Sequence, residues 1–238
     1  MRTNVNNLLI SHFLIPILLL IVISIAISSG DVDRIMADYL YAMQGNNWAW
    51  KYNWLTEVFF HRGGRALSLS FAALITVILV CSYFHNSLAM YRRPLLYLLL
   101  ATAGSNLLVS FLKTFLAVSC PWEFSRYGGH LAYSTVIEQL FIRNGEGCFP
   151  AGHACAGFAW ISFYFFGLHY QSRWRLAGLA IPLCVGIVLG AVQQVRGAHF
   201  ISHDIWTLAI SWFYSLGLFL VFFKSPTQEL EPKELVCS

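Results

Sequence analysis

The chain is poor in charge: Asp, Glu, Lys and Arg make up only 11% of its 238 residues, where a water-soluble domain carries about a quarter. So little polar side chain cannot cover a water-facing surface, which excludes a soluble globular domain. Massed positive charge is also lacking. The 15 Lys and Arg are scattered and the formal net charge is +4, which excludes the concentrated basic face a nucleic-acid partner requires. Six cysteines are present, but none forms a Cys-x-x-Cys pair, so a zinc site of that kind is excluded, and neither a metal nor another cofactor is expected. There is no internal repeat and no low-complexity tract. One domain over residues 1–223 is expected, followed by a polar tail at 224–238.

What the chain does have is apolar length. Hydrophobic residues make up 58% of it, and they gather in blocks of the roughly 20 residues that a bilayer crossing needs. The first runs from Leu8 to Ser28. It is too long for the core of a secretory signal and leads into acidic residues, so it reads as a retained first crossing. Further blocks lie at about 66–84, 95–117, 152–168, 176–195 and 204–223. The fold class expected is therefore all-α: an integral membrane bundle of six helices, with a long loop (118–151) between the third and fourth. Val32 to Met43 has the spacing of an interfacial amphipathic helix. Trp48, Trp50 and Trp54 suit the headgroup level. His61-Arg62-Gly63-Gly64-Arg65 reads as the cap of the second helix or as a phosphate contact. The short links carry Arg92, Arg93, Arg173 and Arg175, and positive residues favour the cytoplasmic side. That rule places the long loop on the extracytoplasmic face of an inner (plasma) membrane.

Ionisable residues at the edge of hydrocarbon are costly and mark candidate sites. Three groups stand there: Lys113 with Cys120-Pro121 and Arg126; His153 within Pro150-Ala151-Gly152-His153; and Arg196, His199, His203 and Asp204. The topology puts all three on one membrane face. Together they suit phosphoryl transfer from an ester. Lys113, Arg196, Arg126 and the helix start at Gly152 offer cations and N–H donors to phosphate, although Arg126 equally suits contact with headgroups. One imidazole can attack phosphorus while a second protonates the leaving oxygen.

The order Lys113…Pro121, then Pro150-Ala151-Gly152-His153, then Gly197-Ala198-His199 resembles the type 2 phosphatidic acid phosphatase family of membrane lipid phosphatases. Its motifs are Lys-x6-Arg-Pro, Pro-Ser-Gly-His and Ser-Arg-x5-His-x3-Asp. The resemblance implies that Lys113 binds phosphate, His153 is the general acid and His199 the nucleophile. It also implies a lipid phosphate as the partner: polyprenyl diphosphate, phosphatidylglycerol phosphate, phosphatidate or a lipid A phosphate. The rival readings are a phosphotransferase using the same phosphohistidine, or a transport or scaffold protein whose site has decayed. Several motif positions differ. Cys120 stands for the first Arg, Ala151 for Ser, and Gln193 for the third motif's Arg, with Arg196 one turn away. His203 stands for the Asp, with Asp204 beside it, and either side chain can orient His199. Cys120 and Cys148 neighbour the first two motifs on the oxidising face, so a disulfide between them is expected.

Overall fold

The computed structural model describes residues 5–223, so the expected polar tail lies outside the described residues. The elements are α1 (Asn7–Ser29), α2 (Val32–Met43), α3 (Leu55–Phe84), α4 (Arg92–Leu116), α5 (Val136–Ile142), α6 (Gly152–Phe158, continuing through a 3₁₀ turn at Ala159–Ile161 into Ser162–His169), α7 (Arg175–Val195) and α8 (Ile201–Phe223). A single bridge between Phe124 and Leu131 is the one β pairing among the described residues.

Five helical segments are long and apolar enough to cross a membrane: α1, α3, the stretch containing α4, α7 and α8. Their outer faces carry Leu18, Leu69, Leu107, Ile181 and Val221, all more than half exposed. A water-soluble protein could not present so continuous an apolar surface. This is a multi-pass membrane protein. The sixth expected crossing, 152–168, is helical but not among the five. The reason is its position. Ala154, Cys155, Phe158, Ala159, Ile161 and Phe165 of α6 are buried, so α6 is shielded by protein and tolerates Ser, Gly and His that a lipid-facing helix would not.

One crossing departs from the expected bounds, and two contain π-helical turns. Helix α3 starts at Leu55, not near 66, and its first turns, Leu55–Arg62, are π-helical. A second π stretch, Ile10–Leu14, interrupts α1. Wider turns leave backbone carbonyls free, and there the His12 carbonyl accepts the Trp212 indole N–H at 2.8 Å. The His12 ring meets Tyr164 Oη at 2.7 Å. These bonds pin α1 to α6 and α8.

Helices α6 and α7 cross where Gly157 meets Gly186. A Cβ on Gly157 would lie 2.4 Å from the Gly186 backbone nitrogen, so small residues set the spacing here, as in close helix pairs within membranes. Gly157→Val is expected to force the helices apart and destabilise the fold by about 2–3 kcal/mol. Thermal unfolding in detergent should show a lowered Tm.

The loop from 118 to 151 is pinned to the end of α4. Cys120 and Cys148 are joined as a disulfide, with Cα atoms 5.2 Å apart. The backbone N–H of Gly145 donates to the Ala117 carbonyl (2.8 Å) and that of Cys148 to Val118 (2.6 Å). Buried Glu123 accepts the N–H groups of Cys120 (2.6 Å) and Glu146 (3.2 Å). Trp48, expected among the headgroups, is instead buried beneath Gly197 and against Tyr41 and Tyr127. Trp50 and Trp54 are exposed.

Candidate active site

His153 follows the start of α6, and His199 stands in the short turn between α7 and α8. One hydroxyl helps tie the segments that carry them. Thr207 Oγ1 on α8 accepts the Ala151 N–H (2.7 Å) and donates to the His203 carbonyl (2.8 Å). Ala151, at the position of the family's Ser, is fully buried and takes part through its backbone.

The His199 ring turns Nδ1 toward His203 Nδ1, 3.4 Å away. One ring is donor and the other acceptor, so Nε2 is the nitrogen of His199 left for chemistry. Of the two candidate partners, His203 is therefore the one that contacts His199. Asp204 faces the other way. Its Oδ2 accepts from Gln194 Nε2 at 2.6 Å, and its carboxyl fits against Gly190, where a Cβ would come within 2.6 Å of it. An Asp at 204 is one residue, about 100° of helix, away from the orienting position.

His199 is 3% exposed. Burial, reinforced by positive charge from His203, Lys113 and His153, holds its imidazole well below the ordinary 6.5. That direction favours the uncharged ring, the form in which an imidazole can attack. A His with a depressed pKa in the folded state contributes stability above its unfolded value of 6.5, and this is lost as pH falls below it. Asp33, pushed upward by burial, acts with the opposite sign. The wild type should therefore lose more Tm between pH 7.5 and 5 than a His199→Gln variant does, and the difference between the two melting series isolates His199.

Lys113 lies in the last turn of α4 and is half-buried, with no carboxylate within 4 Å among the described residues. Its carbonyl packs against Gly147, which brings it beside the Cys148 end of the loop. Gly152 begins α6 with open space on its Cα side.

Two expected phosphate ligands have other work. Arg126 is not brought to the histidines. It makes a bidentate pair with Asp38 on α2, 2.6 Å at each oxygen, because the tight loop turns it toward the amphipathic helix. Arg196 reaches the site but is engaged by protein. Nε donates to the Lys51 carbonyl (3.0 Å), Nη1 to Gln193 Oε1 (3.1 Å) and to His61 Nδ1 (2.6 Å), and Nη2 pairs with Glu57. Four of the guanidinium's five donors are thus used.

Sequence reasoning passed over Glu57 and gave no sign that His61 meets His153. His61, read as a helix cap or a phosphate contact, meets the His153 ring with centroids 3.8 Å apart and planes tilted by 33°. Because arginine can only donate, His61 Nδ1 is an acceptor and its proton sits on Nε2. The available signal was a His and a Glu four residues apart at the edge of an apolar block. A cavity of about 140 Å³ lies elsewhere, between the end of α1, the start of α5 and the start of α8. It touches the site only through Phe200 and Ser202.

A family model, the PAP2 superfamily, matches residues 94–226, more than half of the chain. The chain belongs to the PAP2 superfamily, whose members are phosphatases acting on phosphate esters. No curated protein and no solved structure matches it.

Proposed function

We propose that this protein is a membrane lipid-phosphate phosphatase working through a phosphohistidine. The observation that carries the reading is a buried His199, oriented through Nδ1 by His203, together with a second imidazole, His153, two residues after Ala151, whose backbone N–H is tied to Thr207 on the helix that follows His199. His199 Nε2 attacks phosphorus and the ester P–O bond breaks. His153 gives its proton to the departing oxygen. Water, losing a proton to His153, then attacks the phosphohistidine; the P–N bond breaks and phosphate leaves. Lys113 and the backbone N–H groups at Gly152 face the phosphoryl oxygens. Asp204, turned toward Gln194, supports the α7–α8 junction.

Six crossings, with α6 as the fourth, put both chain ends on one side and the site on the other. Basic short links argue that this other side is extracytoplasmic, on an inner (plasma) membrane. The apolar bundle supports a lipid substrate: polyprenyl diphosphate, phosphatidylglycerol phosphate, phosphatidate or a lipid A phosphate. A phosphotransferase would pass the same phosphoryl group to a lipid hydroxyl. The test is a phosphate-release screen over these lipids with the purified full chain and EDTA present. Release of inorganic phosphate is expected. Labelled phosphate that moves only onto another lipid would make the protein a transferase, and no turnover of any lipid phosphate would remove the reading.

A further inference from the structure

His199 stands in the turn between α7 and α8, and α2 supplies groups that hold both ends of that turn. A helix end leaves backbone groups without an intrahelical partner. Val195 closes α7, and Ser202 is the second residue of α8. The Val195 carbonyl accepts the side-chain N–H of Gln44, just past the end of α2, at 2.9 Å. The Ser202 N–H donates to Oδ1 of Asp33, in the first turn of α2, at 3.0 Å. A direct bond from Gln194 to Asp204 also joins α7 to α8, but it satisfies neither of these backbone groups.

The register of α2 makes both contacts possible. Asp33, Ala37, Leu40 and Gln44 recur at helical spacing, so they share one face over about three turns, roughly 16 Å. Ala37 is buried, and Met36, Ala37 and Leu40 line a narrow crevice with His199 and Phe200. Ile35, Tyr39 and Met43, on the other side of the helix, are exposed. The charges of α2 divide in the same way. Asp31 pairs with Arg34, and Asp38 with Arg126. Asp33 has no cation within 4 Å among the described residues. It meets the start of α8 instead, where the helix dipole favours a carboxylate. The loop after α2 adds Trp48, packed beneath Gly197, whose φ of +73° gives the turn its left-handed step.

We propose that α2 is a splint for the nucleophile's turn, with Asp33 and Gln44 as positioning residues for His199. Neither touches the reacting atoms. They hold the ends of the two helices between which His199 stands, so that its ring keeps its aim. The inference rests on the phosphatase reading, and it brings in residues from outside the segment 94–226 that the family model matches.

The test uses the full chain in lipid nanodiscs, with two readouts: amide hydrogen exchange across residues 195–204, and steady-state phosphate release from the lipid phosphates named above. Asp33→Ala is expected to raise exchange in that segment about 10-fold and to lower kcat about 10-fold, with KM within about 2-fold of wild type. Asp33→Asn, which keeps an acceptor oxygen for the Ser202 N–H, should stay within about 3-fold in both readouts. Gln44→Met, similar in length but without the donor, should lower kcat about 5-fold. Asp38→Asn, which disturbs α2 on its Arg126 side, is the control, and both readouts should stay within about 2-fold. Unchanged exchange in Asp33→Ala would overturn the splint. So would a wild-type kcat in that variant, since α2 would then be scaffolding only. A loss in Asp33→Asn equal to that in Asp33→Ala would rule out the hydrogen bond to Ser202 as the cause. A wild type that turns over no lipid phosphate, with exchange responding as stated, would remove the phosphatase reading and leave the splint in place.

Discussion

His199→Ala should lower phosphate release by about 10⁴-fold while the protein stays folded, because it removes the atom that forms the covalent intermediate. The expectation follows from the geometry around Nε2: Nδ1 is occupied by His203, so Nε2 is the nitrogen of that ring left to attack. His153→Ala should cost less, about 10²–10³-fold, since water can replace a general acid in part. Wild type given labelled substrate and quenched in alkaline detergent should carry label on protein that acid then releases, and His199→Ala should carry none. Equal rates in wild type and His199→Ala would end the enzymatic assignment.

The second large effect concerns Arg196. Its side chain is 6% exposed and that of Glu57 is 24% exposed, so removing the cation leaves a carboxylate mostly enclosed by protein. Breaking a buried pair from one side costs about 3–5 kcal/mol, and partial solvent access at Glu57 puts the expectation for Arg196→Met near the lower end, about 3 kcal/mol. The melting temperature should fall by about 10 °C. The double variant Glu57→Gln/Arg196→Met should regain much of the loss, because no uncompensated charge remains. If Arg196 were only a phosphate ligand, Arg196→Met would leave the melting temperature unchanged and act on KM alone.

The apolar blocks made the membrane class legible, because length and apolarity are what a bilayer selects. The count was harder to read. A helix enclosed by protein, as Ala154, Phe158 and Ile161 show for α6, is released from the hydropathy that marks its neighbours. The nucleophile and acid candidates were legible from motif order and spacing. Arginine roles were not, because sequence spacing gives no hint of which carboxylate lies across the fold. Asp38 claims Arg126 and Glu57 claims Arg196 through partners 88 and 139 residues away in sequence. The contact of His61 with His153 escaped for a related reason: a π-helical turn displaces side chains from the positions that a 3.6-residue period assigns.

Thr207 helps join the start of α6 to the start of α8: its hydroxyl accepts the Ala151 N–H and donates to the His203 carbonyl, which the same N–H also approaches at 3.4 Å. The backbone just ahead of His153 is thereby moored to the helix that follows His199 from inside the bundle, a second anchorage besides the disulfide that ties the outer loop. Exposed stretches of that loop lie outside both moorings and have room to diversify.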